Sequence, residues 1–106
     1  MTEVRWGAGL FAGVALAASG VEGIPSAQRQ TELRDLLRQD CGSCHGMSLR
    51  GGLGPALLPE ALIGKSDAVL IDTIINGRSG TAMPPWRGIV APDEAAWLVQ
   101  QLRRNP

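Results

Sequence analysis

The chain's two cysteines, Cys41 and Cys44, stand three positions apart, and its single histidine, His45, directly follows the second. Cys-x-x-Cys-His is the pattern of covalent haem attachment. Two thiols at this spacing, at the end of a helix, each reach one vinyl group of the same porphyrin. The adjacent imidazole is then left facing the iron. A fold that carries such a motif is built around a flat apolar group, and composition agrees with that. One Phe, three Trp and no Tyr are few large rings for a core, and a domain of 106 residues gains from a cofactor that enlarges it.

The motif has three other uses. A disulfide redox motif follows a strand in a βαβ unit, and no alternating strand pattern occurs in this chain. A closed structural zinc shell needs four donors, and beyond Cys41, Cys44 and His45 there is no further Cys or His. A structural disulfide, the ordinary reading of two cysteines in an exported protein, gives His45 no purpose.

Haem iron has a sixth position, for which Met83 is the candidate. Met1 lies at the amino terminus, and Met47 is two residues past His45, too near to reach the opposite haem face. Met83 lies far downstream in Met83-Pro84-Pro85-Trp86, where the two prolines restrict the loop. The alternative is a methionine filling a gap in the core. A thioether ligand favours ferrous iron, raises the potential and closes the coordination sphere, which suits an electron carrier better than an enzyme.

A ligating histidine donates its other ring N–H to a carbonyl or carboxylate. Pro55, in Gly54-Pro55-Ala56-Leu57, is the expected source of that carbonyl; an ordinary Gly-Pro turn is the alternative. Leu57 and Leu58 are expected over the proximal face. Trp86, with Arg50, Arg78 or Arg87, is a candidate partner for a haem propionate, packing being its other use.

Around the motif the pattern is helical. Ser26 caps a helix from Ala27 to Gln39 with Leu33, Leu36 and Leu37 on one face. A Gly- and Pro-rich stretch follows, with a short helical piece at Pro59 to Ile63. Ser66 caps a helix from Asp67 to Asn76 that Gly77 closes, with Val69, Leu70, Ile71, Ile74 and Ile75 forming a broad buried face. The last helix opens with Pro92 at N1 and runs to about Arg104, with Trp97 wedged against the first.

The first residues read as an export signal. Arg5 precedes an apolar run from Trp6 to Val21, and Ala15, Ala17 and Ser19 offer cleavage sites. At sixteen residues, rich in Ala and Gly, the run is shorter than the roughly 20 apolar residues of a membrane span. Residues 1–23 are therefore expected to be a signal peptide and residues 24–106 one domain, with membrane contact only if the signal is retained. Ten Lys and Arg balance ten Asp and Glu. No basic stripe supports nucleic-acid binding, and no steering field of either sign is expected.

The order of N-terminal helix, Cys-x-x-Cys-His, Gly-Pro-x-Leu and late Met-Pro resembles the all-α class I cytochrome c fold. Two runs are more selective. Asp40-Cys-Gly-Ser-Cys-His-Gly-Met-Ser-Leu-Arg-Gly-Gly-Leu-Gly-Pro-Ala-Leu-Leu-Pro-Glu-Ala-Leu62 and Gly80-Thr-Ala-Met-Pro-Pro-Trp86 resemble the cytochrome c-55X family. That resemblance implies three principal helices and long loops around one covalent haem c. Cys41 and Cys44 would be its attachment sites, His45 its proximal ligand and Met83 its distal one. The first helix departs from the class pattern by offering Leu33, Leu36 and Leu37 in place of the usual Gly and aromatic pair.

The resemblance implies a periplasmic electron carrier of denitrification that docks transiently on the haem-c/haem-d nitrite reductase. Leu49, Leu53 or Ala82 are expected near the rim of the docking surface. It equally implies an accessory role with the maturation proteins that complete haem d or load it. A haem enzyme with a labile sixth ligand is the third reading.

Overall fold

Ser26 opens the first helix by accepting the Arg29 N–H at 3.1 Å. The computed structural model describes residues 23–104, so apart from Gly23 the export-signal reading lies outside the described residues. Helix α1, Ala27–Leu36, does not stop near Gln39 as its composition suggests. It continues through a π-helical turn, Leu37–Cys41, into α2, Gly42–His45. A π turn inserts one residue, which rotates every later side chain by about 100°. Helix geometry thus changes where the attachment motif begins, while Cys41 still packs against the cluster that holds Leu33 and Leu37.

The chain then folds back on itself. The N–H groups of Gly54 and Gly51 reach the carbonyls of Cys44 and His45, each at 2.8 Å, and Leu57 N–H reaches Leu49 O at 2.8 Å. The last carbonyls of α2 are thereby satisfied without water. Helix α3, Pro59–Leu62, is one residue shorter than expected, because Ile63 is extended (φ −62°, ψ 135°). Ser66 accepts the Val69 N–H at 3.2 Å and starts α4, Asp67–Asn76. Pro92 starts α5, Pro92–Arg103, where the Glu94 carboxylate accepts the free Ala91 N–H at 3.0 Å.

Helix α5 is the centre of the packing, in contact with α1, α3 and α4. Leu33 and Leu37 share one cluster with Leu62, Val90, Ala95, Leu98 and Leu102. The crossing of first and last helices is therefore aliphatic at its centre. Trp97 sits half-buried at its edge, its ring 5.1 Å below the Arg34 guanidinium. No strand occurs among the described residues.

Helix α4 differs from expectation. None of its residues is buried: Val69 is 56% exposed, and Leu70, Ile71, Ile74 and Ile75 are half-buried. Part of its apolar face is turned to a cavity instead of to other helices.

Candidate functional site

That cavity, of about 900 Å³, is bounded by all the segments the motifs singled out. Cys41, Cys44 and His45 come from the end of the first helix, and Gly54, Pro55 and Leu57 from the loop after it. Ala61 and Leu62 belong to α3, Val69, Leu70, Thr73 and Ile74 to α4, and Ala82, Met83, Pro84 and Trp86 to the loop that follows. Charge enters through Asp40, Lys65 and Arg78. The volume lies at the upper end of the range for small-molecule and cofactor sites, and a mainly apolar wall with a few convergent polar groups is their usual character.

His45 is held by a single strong bond. Its Nδ1 lies 2.7 Å from Pro55 O. A carbonyl oxygen can only accept, so Nδ1 carries the proton and the lone pair of Nε2 is left for a metal. The backbone behind the ring is as confined: a Cβ on Gly54 would lie 2.7 Å from Cε1 and 2.8 Å from Nδ1 of His45. Glycine is required there by close approach of the imidazole. The dipeptide Gly54-Pro55 was legible as a turn and as a carbonyl source, but the contact between Gly54 and the ring was not.

Cys41 and Cys44 are half-buried and unlinked. Burial pushes the Cys41 thiol up to about 11, with the Asp40 and Cys44 charges adding to the effect. A redox-active Cys-x-x-Cys has the opposite property, a thiolate at neutral pH. Nor do the described residues place three or more His, Cys, Asp or Glu side chains together to hold a metal ion. The disulfide-exchange and zinc readings both lose ground on these observations.

Met83 reaches the same cavity from a loop fastened to the end of α4. Trp86 N–H donates to Ile74 O at 2.9 Å and Arg87 N–H to Ile75 O at 3.2 Å. Met47 lies elsewhere, 69% exposed and against Leu37 and Leu49 in a separate groove.

Several finer expectations shift. Leu57 lines the cavity but Leu58 does not, and of the three arginines only Arg78 does. Leu53, 91% exposed, and Ala82 lie at the cavity as expected, but Leu49 is no rim residue. It is buried, at φ +62°, with its N–H on Gly46 O and its carbonyl taken by Leu57. The backbone turns there, which points Leu49 into the core.

Helices arranged in this way around an apolar cavity, bordered by both Cys-x-x-Cys-His and a Met-bearing loop, define a class I c-type cytochrome, a family whose cofactor is haem c. Residues 28–101 match the family model described as cytochrome c oxidase, cbb3-type, subunit III. The chain is 59% identical over 78 residues to cytochrome c55X of Pseudomonas aeruginosa, covering 74% of this chain and 66% of that protein. To cytochrome c55X of Paracoccus denitrificans it is 49% identical over 92 residues, covering 87% and 89%. The solved c-type cytochrome NirC superposes with a TM-score of 0.74 at 57% identity, over 76% of this chain and 94% of that one. The chain belongs to the cytochrome c55X family. Relatives that share most of its length are named as cytochromes, in keeping with an electron-transfer protein rather than an enzyme.

The residues present fit a haem. Thiol, imidazole and thioether are all iron- or porphyrin-directed groups in such proteins, and the apolar side chains of α4 that no helix covers border the space a porphyrin would fill.

Proposed function

We propose that this protein carries single electrons in the periplasm, through one haem c attached at Cys41 and Cys44, and passes them to the haem-c/haem-d nitrite reductase. The observation that carries the reading is the 2.7 Å bond from His45 to Pro55, because it fixes the tautomer that leaves Nε2 free to ligate. His45 is then the proximal ligand and Met83 the distal one. The haem, when bound, supplies a one-electron ferric–ferrous couple. Pro55 orients His45 and raises its basicity, while Leu57, Ile74 and Trp86 keep water from the space around it. Lys65 and Arg78 are the cations placed to meet propionates.

A second reading has its own support. The chain is 39% identical over 71 residues to part of dihydro-heme d1 dehydrogenase of Pseudomonas aeruginosa, covering 67% of this chain and 14% of that protein. It also superposes, with a TM-score of 0.63 at 38% identity, on 16% of the dihydro-heme d1 dehydrogenase NirN solved with DHE. A redox partner in haem d maturation needs the same centre as a donor to the reductase.

Absorption spectra of protein matured by a c-type haem assembly system test the cofactor and its ligands. Covalent haem is expected, with a weak long-wavelength sulfur-to-iron band in the oxidised form that Met83→Ala removes. Stopped-flow mixing of reduced protein with oxidised nitrite reductase tests the donor role, and negligible transfer counts against it. A deletion strain whose reductase still acquires its full complement of haem d excludes the maturation role.

A further inference from the structure

The loop that carries Met83 is built before any iron–sulfur bond is considered. Gly77, which ends α4, has φ 72° and ψ −169°, a region essentially closed to residues with a side chain. Its surroundings are equally restrictive. A Cβ at this position would lie 2.7 Å from Met83 O and 2.9 Å from both Pro84 C and Pro85 N, distances no neighbour can relieve without moving the Met83 backbone. The contact is possible because Met83 is also tied by both of its backbone groups. Its carbonyl accepts the Arg78 N–H at 3.3 Å, and its N–H donates to Thr81 Oγ1, also at 3.3 Å. The Thr81 hydroxyl is in turn oriented by its own donation to Arg78 O at 2.7 Å. Residues 77–83 thus close on themselves, with the sulfur-bearing residue as the clasp.

We propose that Gly77 and Thr81 are positioning residues for the Met83 thioether, holding it against the iron in the ferric state. This rests on Met83 being the distal ligand. A thioether favours ferrous over ferric iron, so the ferric bond is the weaker one and depends more on a loop already in place. When the loop is held, the sulfur pays little ordering entropy to ligate and competes well with an added ligand. When the clasp is opened, that advantage is lost, and ferric iron becomes accessible while ferrous iron keeps its sulfur.

The test uses the full holoprotein, with cyanide as the probe. Cys41 and Cys44 lie in the π turn and in α2, so the altered loop supplies neither attachment thiol. In Gly77→Ala and Thr81→Val the sulfur-to-iron band of the ferric form is expected to weaken, and ferric cyanide affinity to rise by about tenfold for a lost hydrogen bond. Thr81→Ser, which keeps the hydroxyl, is expected to behave as the parent does. Should Gly77→Ala fail to accumulate, Thr81→Val against Thr81→Ser decides alone. The proposal is overturned if Thr81→Val keeps the parent band and a cyanide affinity within about twofold of it, a change smaller than one hydrogen bond is worth, while Met83→Ala loses the band. If Met83→Ala itself keeps the band, ligation by Met83 is what fails, and the two failures are told apart.

Discussion

Pro55 O and His45 Nδ1 stand 2.7 Å apart although ten residues separate them in the chain. The bond exists because the loop after α2 turns back through hydrogen bonds from Gly51 and Gly54 to the carbonyls of His45 and Cys44. A proton held on Nδ1 makes an imidazole a better donor from Nε2, so with His45 as the proposed ligand the loop would tune the electronic character of the site.

Gly54→Ala puts a methyl group where the His45 ring lies, 2.7 Å from Cε1. The ring must shift and its bond to Pro55 lengthen. A less basic ligand stabilises ferric iron less, so the midpoint potential is expected to rise. A tenfold change in the ferric–ferrous equilibrium corresponds to about 59 mV for one electron, and redox titration of the holoprotein reads it. An unchanged potential would show that the bond has no electronic role.

Attachment by two thioethers, as proposed, would make the pigment inseparable from the polypeptide. Cys41→Ala with Cys44→Ala is expected to release all haem into acid acetone, whereas the parent keeps its colour in the precipitate. The raised thiol of Cys41 adds a second expectation for the unloaded protein. Alkylation at neutral pH should be slower at Cys41 than for a free cysteine, whose pKa is about 8.5, and mass-resolved labelling measures it.

Leu33 is fully buried in the cluster that joins α1 to α5. Leu33→Ala leaves a void between helices that other elements hold apart, and a loss of roughly 2–5 kcal/mol is expected. A fall in denaturant midpoint with little change in slope is the signature in urea.

Arg29 binds both oxygens of Glu94, at 2.8 and 3.0 Å, and also Glu32 and Ile89 O. Glu94 is held below the usual carboxylate range, first by the hydrogen bond from Arg29 and further by the Ala91 N–H, against the opposing effect of burial. A depressed folded pKa gives stability that is complete above the unfolded value, about 4.3, and is lost as pH falls through the folded one. Glu94→Gln is therefore expected to destabilise by about 1 kcal/mol at neutral pH, as for a partly exposed pair. The difference from the parent should shrink as pH is lowered below that value. Thermal melts across that range test it; a gap that stays constant to low pH would mean that the charge on Glu94 contributes nothing.

Local signals carried far in this chain. Ser26 and Ser66 begin helices where capping chemistry says they should, because each cap is a bond between residues three apart, and Pro92 does so as a first helical residue whose φ is already fixed. Cys41, Cys44, His45, Pro55 and Met83 were each singled out from residue type and spacing, and all border one cavity. The half-buried apolar face of α4 is where pattern and structure differ most. Its apolar residues announced burial, but the pattern does not distinguish a helix partner from a cofactor.

What one-dimensional order determined was the chemistry, since thiols, imidazole and thioether are properties of side chains and their spacing. Tertiary structure alone decided the close approaches: Gly54 under the His45 ring, Gly77 against Met83 O, and Leu49 turned inward at positive φ. Such contacts join atoms whose separation depends on how loops fold back. A glycine that ends a helix and a glycine that makes room for a ligand read the same until the neighbouring backbone is in place.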